Sequence, residues 1–322
     1  MKIAFAGFRH GHIDSLYRQA GELGLEIVKC VEEVESDRVN ASERLSANIL
    51  LGAYESAADT DADIVAVGCA YGDRGRVVID ALKKGKHVLS DKPLCTSLDE
   101  FNEIERLCKE KNLKVGLMLD LRYIPAVVTA KNILADGRLG EIKNVSFTGQ
   151  HCLSYGKRPS WYFEKGMHGG TINDIAIHGI DLLYHLASLS VTQVDGVRTW
   201  NSYADREPDF KDSAVFMARL NDGIQLLADV SYCGPSQVFS MPTYWNFKFW
   251  CKKGMLTFCV CENDVTVYEE GKPVCYKVEG TYVPDNCITD LIDDINNDKT
   301  AFTDSVLRST RSALELQKKA EQ

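Results

Sequence analysis

Lys2-Ile3-Ala4-Phe5-Ala6-Gly7-Phe8-Arg9-His10-Gly11-His12 opens the chain. Residues 2–6 read as a short strand, and Gly7 ends it. Ile13, Leu16, Tyr17 and Ala20 follow at helical spacing. A dinucleotide-binding turn is written G-x-G-x-x-G, because backbone N–H groups must approach a pyrophosphate at a helix N-terminus. Gly7 fits the first position. Arg9 stands at the second, His12 at the third, and Gly11 comes one place early. Arg9 can offer its guanidinium to phosphate instead. Alone, this motif is equally an ordinary strand-to-helix turn.

Context extends it. Glu26–Val31 reads as a second strand, and Ala62–Gly68 as a nearly all-apolar one, as a buried parallel strand should be. Gly75–Lys84 is helical, Lys86–Leu89 a strand, Leu98–Lys111 a helix with Ser97 as N-cap, and Lys114–Met118 a strand. Strand and helix in alternation predict a doubly wound α/β domain with a parallel sheet. The pattern changes near Leu121. Asp212–Arg219 and Gln225–Tyr232 flank the hairpin signal Asn221-Asp222-Gly223, and Trp245–Lys252 alternates with Trp245, Phe247, Phe249 and Cys251 on one face. Met255–Cys261 reads as a strand too, which puts Cys259 and Cys261 on one face. This second region is an α+β domain with a mostly antiparallel sheet and a helical insertion at Asn173–Ala187. The expected division is 1–122 and 123–322, with the terminal helix Asp304–Ala320 free to pack on either domain.

The chain has 322 residues, which suits two domains. Hydrophobic residues make up 45% and charged residues 26%, enough apolar material for sizeable cores. A net charge of −9 argues against nucleic acid as a partner. No apolar run has the length of a membrane span, and the N-terminal stretch is too short for a signal peptide. A cytoplasmic protein without membrane contact is the expectation. Its eleven cysteines are scattered without a C-x-x-C pair, and free thiols are the reading.

Glu32 follows the second strand, where a carboxylate accepts from the ribose hydroxyls of NAD and repels a 2′-phosphate. This favours NAD over NADP, with a surface Glu as the alternative. His10 and His12 form an i, i+2 pair with no third ligand nearby in sequence, so no metal site is expected. Lys92 precedes Pro93, which restricts its backbone; a lysine held there can stabilise charge on a reacting oxygen, or Asp91 and Lys92 can be a solvated turn. Asp174 and His178 are i and i+4, and Asp181 lies near the same helix face. An imidazole with a carboxylate neighbour suits general base work, although a surface pair is the commoner outcome.

Together these pieces resemble the glucose–fructose oxidoreductase / inositol dehydrogenase / MocA family. Gly85-Lys86-His87-Val88-Leu89-Ser90-Asp91-Lys92-Pro93 resembles its G-K-H-V-x-x-E-K-P signature, with Asp91 for Glu. Asp120–Pro125 resembles N-x-R-F-x-P, Gly137–Ile142 resembles G-x-L-G-x-I, and Gly169–Asp181 resembles G-G-x-x-x-D-x-x-x-H-x-x-D. The resemblance covers essentially the whole chain. It implies a Rossmann-type domain followed by an α/β domain whose open sheet mediates a homodimer or homotetramer.

The resemblance further implies a nicotinamide-dependent dehydrogenase acting on the CH–OH group of a sugar, polyol or related compound. Lys92 would bind the reacting oxygen, His178 would be the general base, and Asp174 would assist. Gly7, Arg9, His10, Gly11, Glu32, Arg74, Asp91 and Lys92 are the cofactor-binding candidates. Arg122, Trp161 and Asp181 are the substrate-binding candidates. Arg74 stands where many members carry histidine, and a solvated helix-start residue is its default reading. Two alternatives stay open. One is a lyase- or hydrolase-type reaction with transient oxidation of a bound NAD. The other is a non-catalytic sensor of nucleotide or sugar.

Overall fold

The computed structural model describes residues 1–235 and 244–322. The chain divides into two compact units. The first comprises Met1–Met118, Glu164–Gly169 and Asn286–Arg311; the second comprises Leu119–Phe163, Gly170–Asp285 and Ser312–Gln322. The segments 164–169 and 286–311 therefore join the first unit although they come late in sequence.

In the first unit the order is β1 (Lys2–Ala6), α1 (His12–Glu22), β2 (Glu26–Glu32), α2 (Glu35–Leu45), β3 (Leu50–Leu51), β4 (Ile64–Val67), α3 (Tyr71–Lys83), β5 (His87–Ser90), α4 (Leu98–Lys111) and β6 (Val115–Leu117). All neighbours pair in parallel, in the order β3-β2-β1-β4-β5-β6. The chain starts in the middle and winds outward both ways, so the strand order reverses between β1 and β4. Ligands bind such sheets beyond the carboxyl ends of the strands at that point. Every residue of β4 is buried, which is why it reads as an unbroken apolar run. Ser97 Oγ caps α4 by accepting from Glu100 N at 3.2 Å.

The second unit contains α5 (Pro125–Ala135), β7 (Ile142–Gln150), a π-helical turn (Ile172–Ala176) running into α6 (Ile177–Ala187), then β8 (Val191–Trp200), β9 (Ser213–Leu220), β10 (Gln225–Ser231), β11 (Asn246–Cys251), β12 (Gly254–Cys259), β13 (Val265–Glu269) and β14 (Tyr276–Val278). Among the described residues these strands form one sheet, β14-β13-β12-β11-β7-β10-β9-β8, antiparallel except for β7 beside β10. Asp222 and Gly223 both take positive φ, 58° and 73°, as a tight hairpin with the right twist requires. Its inner face is aromatic: Phe147, Trp245, Phe247 and Phe258 are buried, and the Phe247 ring stacks on Phe147 at 5.5 Å and on Phe258 at 5.1 Å. The outer face exposes Met217, Leu227, Trp250 and Tyr268. Leu227 and Met217 are direct cross-strand partners.

Two expectations need correction. β12 stops at Cys259, so Cys261 does not share a strand face with it. Cys259 is buried and its thiol donates to the Tyr244 carbonyl, while Cys261 is exposed in the following turn. The terminal helix, α8 (Ala301–Ala320), begins before Asp304, and α7 (Cys287–Asn296), in the first unit, precedes it behind an Asn286–Thr289 capping box. No helix among the described residues is long and apolar enough to cross a membrane.

Candidate functional site

In the first unit the candidate residues gather at the carboxyl ends of β1, β2, β4 and β5. Gly7 has φ +87°, and a Cβ there would lie 2.5 Å from the backbone N of Cys69. No side chain fits, so the first glycine is obligatory. Gly11 is different: a Cβ there meets nothing within 4 Å. It occupies the N-cap of α1 and brings no side chain over the helix's first N–H groups, which suits an anionic ligand. The close helix–strand approach usually granted by the third glycine comes instead from Gly68. A Cβ on Gly68 would strike the Ile13 side chain and the Gly7 carbonyl, at 2.6 and 2.7 Å. The signal was present in sequence as a glycine ending an all-apolar strand.

Glu32 is fully buried. Its carboxylate accepts from Phe8 N at 2.6 Å, Val34 N at 3.0 Å and the Tyr54 hydroxyl at 2.7 Å. It ties the phosphate loop to β2, which corrects the picture of a surface Glu and adds a role the sequence did not suggest. Arg9 is drawn to Asp37 of α2, with Nε 2.7 Å from Oδ2, and does not point into solvent.

Asp91, Lys92 and Arg74 overturn the solvated readings outright. They are 0%, 4% and 0% exposed. Arg74 donates Nη2 to Asp91 Oδ2 at 2.7 Å, Nη1 to the carbonyls of Asp91 and Pro93, and Nε to the Cys69 carbonyl. It staples the end of β4 to the end of β5. His10 Nδ1 lies 2.6 Å from Asp91 Oδ2, and His12 Nδ1 lies 3.0 Å from Asp91 Oδ1. The third group that sequence spacing lacked for these histidines is therefore supplied by β5. Burial opposes ionisation of Asp91, but Arg74, His10 and His12 outweigh it and hold the carboxyl well below the usual carboxylate range. Burial pushes His10 down to about 4, against the pull of Asp91, so its ring is neutral at neutral pH. The Tyr71 hydroxyl lies 3.1 Å from His10 Nε2. The Lys92–Pro93 peptide is cis, and Lys92 Nζ sits 5.9 Å from the centre of the Tyr71 ring. Tyr71 also meets the His168 ring at 5.8 Å. Tyr71 escaped the sequence reading because only folding brings it to the loop.

Gly169, the last residue of the 164–169 segment, and Gly170, which opens the next stretch of the second unit, take φ of +77° and +91° before the π-turn. A Cβ on Gly170 would overlap the Gln317 carboxamide, which in turn accepts from Ile172 N at 3.1 Å. The π-turn carries Asp174, so the path to His178 passes a π–α junction and not a regular helical turn. Neither residue is on a surface: Asp174 is 1% and His178 8% exposed. Asp174 Oδ2 accepts from the hydroxyls of Tyr162, at 2.7 Å, and Tyr232. The His178 ring meets Trp245 edge-on at 5.5 Å. Gly179 lets the helix sit on Phe147, whose ring would lie 2.3 Å from a Cβ there.

Arg122 and Asp181 are buried against each other. Nε donates to Oδ2 at 2.6 Å and Nη2 to Oδ1, a two-pronged pair that engages both carboxylate oxygens. Trp161 is buried, with its ring 5.1 Å from Tyr162. Arg122 and Asp181 thus hold each other in place inside the unit. Trp161 stands in the aromatic cluster behind Asp174.

Residues 2–118 match the model of an oxidoreductase family described by its NAD-binding Rossmann fold, and residues 127–257 match the GFO/IDH/MocA C-terminal domain. Levoglucosan dehydrogenase of Pseudarthrobacter phenanthrenivorans is 31% identical over 133 residues, 40% of this chain and 34% of that protein. The NAD(+)-type scyllo-inositol 2-dehydrogenase of Bacillus subtilis is 29% identical over 145 residues, 44% of this chain and 40% of that protein. The chain thus matches well under half the length of these curated relatives. A solved levoglucosan dehydrogenase in complex with NADH and levoglucosan superposes with a TM-score of 0.80 at 19% identity, over 99% of this chain and 97% of that one, which speaks to the fold. With both of its domains matched in order, the chain belongs to the GFO/IDH/MocA family of oxidoreductases.

Proposed function

We propose that the protein is an NAD-dependent dehydrogenase that oxidises the CH–OH group of a sugar or polyol, or reduces the matching carbonyl. The observation that carries this is Lys92. A buried ammonium at the carboxyl end of β5 stands one strand from the switch point of an NAD-binding sheet. Nicotinamide, when bound, takes the hydride. Gly7, the α1 N-terminus and the β2 end would hold the dinucleotide. The chain's own residues handle the rest of the balance. As the C–H electron pair leaves, the hydroxyl proton must go to a base, and the His178 imidazole is suited to accept it. Asp174, pinned by two tyrosine hydroxyls, offers a carboxylate of fixed position to the substrate or the base. Lys92 offers positive charge to the reacting oxygen. Sugar and polyol dehydrogenases among the relatives support this substrate class.

NAD is preferred to NADP because Glu32 and Asp37 surround the end of β2 with negative charge. Arg9, on the loop after β1, is paired with Asp37, which leaves that preference in place. The outer sheet face, with Met217, Leu227, Trp250 and Tyr268 exposed, is the surface through which two or four copies associate. Absorbance of reduced nicotinamide, followed with NAD and a panel of sugars and polyols, tests the activity. Turnover that falls by about three orders of magnitude in Lys92→Met and His178→Ala supports it. Substrate consumed without net cofactor reduction would instead mark the transient-oxidation chemistry. A sensor would keep ligand binding in His178→Ala and show no turnover at all.

A further inference from the structure

The loop after β1 and the end of β5 bring together two imidazoles and a carboxylate. His10 Nδ1 is 2.6 Å from Asp91 Oδ2 and His12 Nδ1 is 3.0 Å from Asp91 Oδ1. One potential ligand atom from each of the three lies within 4.8 Å of the others. Two histidines and one carboxylate are a donor set taken by zinc and by first-row transition metals with open positions. Metal–ligand bonds of about 2.0–2.2 Å place neighbouring ligand atoms roughly 3 Å apart around one ion; the two imidazole–carboxylate distances, 2.6 and 3.0 Å, are near that, and all three donors lie within 4.8 Å of one another, so small side-chain shifts would seat an ion.

The groups behind the donors fit as well. A metal-bound histidine uses its other ring nitrogen to fix its orientation, and His10 Nε2 meets the Tyr71 hydroxyl at 3.1 Å. Arg74 holds the Asp91 side chain through Oδ2 and its main chain through the carbonyl. The His12 side chain is 44% exposed, which gives an ion a way in and leaves coordination positions toward solvent. Arg74 and Lys92 add positive charge nearby, so an anionic ligand on the open side would complete the balance.

We infer that His10, His12 and Asp91 form a three-ligand site for a divalent transition-metal ion of the zinc class. The site stands on its own geometry and not on hydride transfer.

The test uses the full chain, stripped with a chelator and titrated with Co2+ and then Zn2+. One equivalent of Co2+ should bind with visible d–d bands and without the strong near-ultraviolet absorption of a thiolate ligand. The distinction matters because Cys233, Cys261 and Cys275 are exposed. His12→Ala and the polar His12→Gln should each weaken Zn2+ by at least about 100-fold, the upper end of the cost of losing even an outer partner. Tyr71→Phe should weaken it about tenfold. Circular dichroism checks that each variant is folded. Absence of Co2+ binding, a thiolate spectrum, or equal affinity in the wild type and both folded His12 variants would each overturn the site and leave the cluster as hydrogen bonds alone. None of these readouts depends on dehydrogenase activity.

Discussion

Asp91 in the first unit and Asp181 in the second are both buried carboxylates, and both meet an arginine. They use it differently. Arg122 spends Nε and Nη2 on the two oxygens of Asp181, closing a two-pronged ring between the side chains. Arg74 gives Asp91 a single side-chain contact and turns its other N–H groups to main-chain carbonyls. Asp91 fills its remaining positions with His10 and His12, and the second of these reaches solvent. A closed pair stabilises an interior. An open cluster at the end of a nucleotide-binding sheet has capacity left for a ligand.

The closed pair can be broken most sharply. Arg122→Ala strands Asp181 as a buried charge and should cost about 3–5 kcal/mol in urea unfolding. The double change Arg122→Met, Asp181→Leu should recover most of that loss. A cost below about 1 kcal/mol would show that the pair contributes little to stability. Tyr162→Phe removes a tyrosine hydroxyl that donates to Asp174 and should cost about 2 kcal/mol, since the acceptor is a buried carboxylate. Ser97→Ala calibrates the scale: an exposed helix cap should cost about 1 kcal/mol.

The smallest effect is in acid, at a histidine beside the same arginine. Burial, then Arg122 and Lys131, push the half-buried His185 down to about 3. Its folded value lies below the unfolded one near 6.5, so its stabilisation is complete above about pH 6.5 and is lost as pH falls toward 3. His185→Gln should flatten that decline by less than about 1 kcal/mol, because the ring is partly solvated. An unchanged acid limb in the variant would mean that His185 takes no part in acid unfolding.

The parallel sheet was legible because its strands are apolar runs of the right length, and Ser97 was legible as a cap. α2 was not, because Ala41 is its one buried residue and no apolar stripe marks it. The π-turn at Ile172–Ala176 was missed for a different reason: spacing alone does not separate i, i+4 in a regular helix from the same spacing across a π–α junction. Lys92, Asp174 and His178 were visible from motif order, yet their burial was not. Arg74 shows the limit best. A charged residue at a helix start reads as solvated, and only the return of β5 beside β4 gives its guanidinium four acceptors. His10 and His12 likewise look unfinished until Asp91 arrives from about 80 residues away in sequence. Contacts of that range are a property of the topology and leave no local trace.

Use of a nicotinamide dinucleotide is checked by calorimetric titration of NADH and NADPH into the folded protein. NADH should bind saturably at one site per chain, and NADPH more weakly. No heat from either dinucleotide would contradict that use.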